Sequence, residues 1–213
     1  MLHQDHRTKS ISGLRASAIA TLMAIGISMA GPSAAQDAKT IATTVCAGCH
    51  ADDGNSLVPM FPKIAGLQES YIAKQLQDFQ SGRRKSDIMA PVVATLKLQE
   101  IAALANYFSV QKPKPGELTD KAAADFGKLV YLEGNEKTGV PACVACHQAQ
   151  GAGQLIYPRI GGQHSVYVAQ QLKNFATGER ANDASRYMRV IAKRMSEKEM
   201  QSVAEYLVSL DSQ

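Results

Sequence analysis

The chain has 213 residues, with 23 Lys and Arg against 19 Asp and Glu and a formal net charge of +4. That small excess is spread along the sequence, and its one basic run is Arg83-Arg84-Lys85. Nucleic-acid binding needs a concentrated basic footprint and is excluded as an expectation.

Residues 1–35 read as a secretory signal. Arg7, Lys9 and Arg15 form a basic opening, Ala16 to Ala30 is an apolar run, and Pro32-Ser33-Ala34-Ala35 presents small residues for cleavage after Ala35. The run falls short of the roughly 20 residues of a membrane span, so cleavage is expected over anchoring. Taking away 35 residues, with three basic and one acidic side chain, leaves 178 residues carrying 20 basic and 18 acidic groups. No later stretch is apolar for long enough to cross a bilayer. The expected location is the periplasm, soluble or at most peripherally bound to the membrane.

The next feature is Cys46-Ala47-Gly48-Cys49-His50, repeated as Cys143-Val144-Ala145-Cys146-His147. Cys-x-x-Cys-His is the attachment signature of a c-type haem. Two thiols three residues apart lie about one helical turn from each other, so both reach the vinyl edges of one porphyrin, and the adjoining histidine supplies an imidazole nitrogen to the iron. A zinc site would want four ligands closed around the ion, and neither half has a third cysteine or a second nearby histidine. A disulfide within each motif would leave His50 and His147 without a role. The expectation is two covalently bound haem c groups, through Cys46 and Cys49 and through Cys143 and Cys146, and no disulfides.

The motifs sit in an internal repeat. Pro62-Lys63-Ile64-Ala65-Gly66 is echoed by Pro158-Arg159-Ile160-Gly161-Gly162, and Tyr71, Gln75, Leu76, Phe79 and Gly82 by Tyr167, Gln171, Leu172, Phe175 and Gly178. The offset is 97 residues at the cysteines, 96 in the middle and 99 at the end, so loops differ while elements match. Lys112-Pro113-Lys114-Pro115-Gly116-Glu117 cannot continue a helix and separates the copies. The expected organisation is a signal over 1–35, an N-terminal domain over 36–112, a linker over 113–117 and a C-terminal domain over 118–213.

Each half reads as all-α. Apolar spacing predicts helices over Glu69 to Ser81, Leu98 to Gln111, Asp120 to about Glu133 capped by Thr119, and Ser165 to Ala176. A last helix opens on Ser196 and Glu199, an S-x-x-E capping box. No convincing alternating strand is present.

The repeat also sorts the methionines. Met60 aligns with Ile156, Met195 with Leu96 and Met200 with Ile101, which marks packing positions. Met89 and Met188 align with each other, 39 and 41 residues after their histidines. The expected axial pairs are His50 with Met89 and His147 with Met188. His164, matched by Gln68, reads as an exposed polar residue. Pro62 and Pro158 hold the chain extended, so that a nearby carbonyl can take the histidine's other ring N–H. Lys63 and Arg159 are candidates to neutralise haem propionates, and Tyr71 and Tyr167 to donate to them, with ordinary packing the equal alternative for each.

In the order of these motifs the chain resembles the dihaem cytochrome c4 family over essentially all of the mature sequence. The resemblance implies two tandem class-I cytochrome c domains about a pseudo-two-fold, with haem propionates facing across the interface. It also implies a mostly monomeric carrier passing electrons from a quinol-oxidising bc complex towards terminal oxidases or other redox proteins, often loosely membrane-associated. One departure is Asp37-Ala38-Lys39-Thr40, where family members commonly have a glycine-rich turn.

With both axial positions filled, no iron is open to substrate, so the chain is expected to be a carrier and not an enzyme. Two alternatives stand beside this: the dihaem subunit of a flavin-containing sulfide dehydrogenase and, less favoured, a dihaem peroxidase.

Overall fold

A computed structural model describes residues 34–211. The expected signal therefore lies outside the described residues except for its last two positions. The helices are α1 (Ala34–Ile41), α2 (Ala47–His50), α3 (Glu69–Gln80), α4 (Met89–Val93), α5 (Leu98–Ser109), α6 (Lys121–Glu133), α7 (Val144–His147), α8 (Ser165–Thr177), α9 (Tyr187–Ala192) and α10 (Glu197–Val208). Among the described residues there is no strand, and the only β pairings are the isolated bridges Asn135–Val140 and Gln154–Tyr157.

The same packing recurs in both halves. α5 packs against α1 and α3 in the first, as α10 packs against α6 and α8 in the second. The apolar stripe of α5 buries Ile101, Leu104, Ala105 and Phe108, and that of α10 buries Met200, Val203, Ala204 and Leu207. Met195, expected as a packing position, lies in the turn before α10 and is buried there. The crossing of α6 over α10 depends on Gly127. A Cβ there would lie 1.9 Å from the Ser202 carbonyl oxygen. α3 gives way to Gly82 and α8 to Gly178, both at positive φ, as their role as helix stops requires.

Several helix ends differ from expectation. Asp120, not Thr119, caps α6 by accepting from Ala123 N at 2.9 Å. The backbone N–H and hydroxyl of Thr119 instead donate to Glu205 Oε1, at 2.7 and 2.6 Å, so the last helix fixes the entry of α6. The Ser196–Glu199 box is present, and Glu199 also accepts from Asn135 Nδ2 at 2.7 Å and Thr138 Oγ1 at 3.1 Å. A packed tertiary partner outbid the local cap for Thr119, which sequence spacing cannot report.

Burial works against ionisation of Glu199 and Glu205, yet the donors around each carboxylate hold its pKa below the ordinary 4.5. Groups with lowered folded-state pKa stabilise the fold above their unfolded value and lose that contribution as pH falls through the folded one. Melting temperature is therefore expected to fall steadily below about pH 4.5. Thermal unfolding followed against pH checks this, and Glu199→Gln should flatten the slope.

The halves meet through reciprocal contacts, as a pseudo-two-fold demands. Gln68 Nε2 donates to Ala152 O at 3.3 Å, and His164 Nε2 donates to Ser56 O at 2.9 Å. Lys63 N donates to Gln163 Oε1 at 2.8 Å, and Arg159 N to Gln68 Oε1 at 3.0 Å. Residues 112–118 run between α5 and α6 without helix and are pinned to both halves. Lys114 N donates to Asn55 Oδ1 and Gly116 N to Val208 O.

Candidate functional site

In the first half α1 passes through a π-helical stretch, Ala42–Cys46, directly into α2 and the first motif. Thr43 and Thr44 return their hydroxyls to Lys39 O and Thr40 O, a back-bonding that loosens a helix at that turn. The second half takes a different route, since the turn at residues 134–142 separates α6 from Cys143. Past the histidine the two routes converge. Ala51 and Gln148 both adopt positive φ, 61° and 64°, with ψ of 164° and 167°.

That conformation turns the chain back over the histidine. Gly54 O accepts from Ile64 N and Ala65 N, and Gly151 O from Ile160 N and Gly161 N. The clip brings a proline carbonyl to each ring: His50 Nδ1 donates to Pro62 O at 2.8 Å and His147 Nδ1 to Pro158 O at 3.0 Å. The acceptor expected near each proline is the proline's own carbonyl. Since a carbonyl only accepts, each ring carries its proton on Nδ1 and keeps the Nε2 lone pair for a metal. Burial lowers both histidine pKa values despite these bonds, which keeps the rings neutral.

The φ,ψ of Ala51 belongs to a region essentially reserved for glycine. Ala51→Gly is expected to stabilise the protein by about 1 kcal/mol, equal to about 2–4 °C in melting temperature. An unchanged or lower melting temperature would show that the turn is not strained.

A cavity of about 1500 Å³ is lined by both motifs. Cys46, Cys49, His50 and Met89 line it in one half, and Cys143, Cys146, His147 and Met188 in the other. Burial pushes the Cys46 and Cys143 thiols up to about 11, so neither resembles a low-pKa reactive cysteine. Among the described residues no group of three or more His, Cys, Asp or Glu is placed to hold a metal ion. Two apolar ends walled by residues such as Ile72, Phe79, Leu172 and Phe175, each with a thiol pair and a neutral imidazole, suit a flat macrocycle.

Met89 opens α4 and Met188 lies in α9, both half-buried. The approaches differ: Met89 N donates to Ser86 Oγ, whereas Met188 follows Ser185 and Arg186, both at positive φ. The side chain of Asp183 then accepts from Arg189 N and Nε. Met200 and Met195 are buried in the core, while Met60 is exposed at the cavity wall.

His164, expected as an exposed polar residue, is half-buried and clasps the other half at Ser56. Lys63 and Arg159 are buried, and their cationic ends bond backbone carbonyls, Lys63 to Lys114 O and Arg159 to Gly161 O and Ala65 O. Arg159 lines the cavity. Tyr71 and Tyr167 also line it, but each hydroxyl oxygen accepts from an arginine of the other half, Arg180 and Arg84 respectively. These two arginines were missed. Both follow the helix-stopping glycine by two residues at the 96-residue offset, a signal that extending the repeat past Gly82 would have exposed.

The sequence profile of the cytochrome c family matches residues 35–112 and again residues 127–211. Cytochrome c4 of Thiocapsa roseopersicina is 44% identical over 183 residues, covering 84% of this chain and 93% of that protein. The crystal structure of reduced recombinant cytochrome c4 from Pseudomonas stutzeri superposes with a TM-score of 0.78 at 37% identity, over 83% of this chain and 98% of that one. A thiosulfate dehydrogenase electron acceptor from Thiomonas intermedia (strain K12) is 35% identical over 169 residues, 77% of each chain.

Proposed function

The chain belongs to the cytochrome c family, in its dihaem cytochrome c4 branch, and from that premise we propose that it is a periplasmic carrier whose irons are held by His50 with Met89 and His147 with Met188. It carries two covalently bound haem c groups and is an electron-transfer cytochrome. Cys46 with Cys49, and Cys143 with Cys146, form the thioether bonds. The haem supplies reversible one-electron chemistry, and the polypeptide fixes its ligands, keeps them dry and sets their electronics.

The observation that carries the axial assignment is the same in both halves. One cavity receives an imidazole whose tautomer is fixed by a proline carbonyl and a methionine from the segment before the last helix. Thioether ligation raises the reduction potential, which suits electron traffic late in a respiratory chain. On this reading residues 36–112 and 118–213 are the two domains and 113–117 the linker. The partners are redox proteins such as a bc complex, a terminal oxidase or a small carrier. An optical redox titration of the holoprotein should give two one-electron waves. Rapid peroxide turnover by the ferrous protein would overturn the carrier reading.

The likeness to a thiosulfate dehydrogenase electron acceptor supports a second reading of the donor. Mixing the oxidised protein with such a dehydrogenase and thiosulfate tests it. Haem reduction within turnover time supports that donor, and none excludes it.

A further inference from the structure

The cavity lining includes buried cations as well as apolar walls. Arg84 and Arg180, from opposite halves, are 8% and 7% exposed and line it. Arg84 donates to Gln75 Oε1 of its own half at 2.8 Å, and to Tyr167 Oη at 2.8 Å and Gln171 Oε1 at 2.9 Å of the other. Arg180 mirrors this with Gln171 Oε1 at 2.9 Å, Tyr71 Oη at 2.9 Å and Gln75 Oε1 at 3.3 Å. The two guanidiniums also lie over Phe79 and Phe175, 4.6 and 4.5 Å from the ring centroids.

Every one of those acceptors is neutral. Among the described residues neither arginine has a carboxylate within 4 Å: Asp78 is already engaged by Lys74, Arg83 and Asn182, and Asp183, whose charge reaches Arg180, is engaged by Arg189. Two positive charges out of water with no carboxylate in contact would be costly, because the interior offers little screening. The local field agrees: although burial works against it, the arginines lower the pKa of Tyr71. Each tyrosine oxygen is an acceptor here, so its own proton stays available to an anion.

Resting on the two-haem reading, we propose that Arg84 and Arg180 are the shared counter-charge for the haem carboxylates of both halves, so that each arginine tunes both irons. Each guanidinium is fixed by groups of both halves, and its field therefore belongs to neither haem alone. Positive charge beside a haem favours the ferrous state, whose net charge is one unit lower. The tyrosines and glutamines act as positioning residues that hold the two guanidiniums at the seam.

The test is the redox titration of holoprotein carrying Arg84→Gln or Arg180→Gln. At a fixed ambient potential the ferrous-to-ferric ratio should fall at least three-fold at both haems in either single variant, and Arg84→Lys should restore most of it. A shift confined to one haem, no shift, or a lysine variant no better than glutamine overturns the proposal. Should a glutamine variant fail to fold, Tyr71→Phe and Tyr167→Phe remove only the anchoring hydroxyls and must still lower the ratio at both haems, and an unchanged ratio there overturns it. Haem content of the unaltered protein is read separately: fewer than two haems would defeat the underlying reading instead.

Discussion

Reduced Met89→Ala holoprotein is expected to bind one equivalent of carbon monoxide, Met188→Ala one, the double variant two and the parent none. The reasoning starts from the repeat. Of the five methionines after residue 35, these two coincide in the alignment, and both line the cavity that the neutral imidazoles face. Removing a thioether leaves an iron with an open position, which small neutral ligands fill. Because each half has its own histidine, clip and methionine, the effect should be additive. Loss of the thioether also lowers the potential of that haem, so one wave of the titration should move and the other stay. Carbon monoxide binding by the parent, or none by a single variant, would mean that the sixth ligand lies elsewhere.

Gly127→Leu should abolish stable folding of the second half, or cost about 3 kcal/mol or more, at the upper end for overpacking. The atoms that a side chain would meet at Gly127 are the Ser202 carbonyl and the Val203 amide, part of the α10 backbone, and backbone cannot swing aside as a side chain can. Gly127→Ala sharpens the test. Intrinsic helix propensity favours alanine by up to about 1 kcal/mol, so an exposed site would gain. Here even alanine must separate α6 from α10, and the melting temperature should drop. A stabilised alanine variant would show that the helices do not cross this closely.

The acid-sensitive carboxylates make a related point about cooperation between distant segments. Glu205 on the last helix anchors Thr119 and Asp120, 85 or more residues earlier, so a carboxylate with no evident role in the sequence closes the second half. Such a contact has no periodicity and no motif to announce it.

The chemistry and the plan were legible before any folding was considered. Two Cys-x-x-Cys-His pentapeptides specify two covalent haems because thiol spacing and the adjoining imidazole are local covalent facts. The 96- to 99-residue repeat specifies two like helical domains because apolar spacing is local too. Which carbonyl orients each histidine, and that Asp120 caps α6, emerged with the packing of the folded chain. The same holds for His164, which clasps the other half, and for Arg84 and Arg180, which share tyrosine and glutamine partners across the seam. Those outcomes depend on which groups from remote segments win the same buried donor or acceptor, a competition settled by packing.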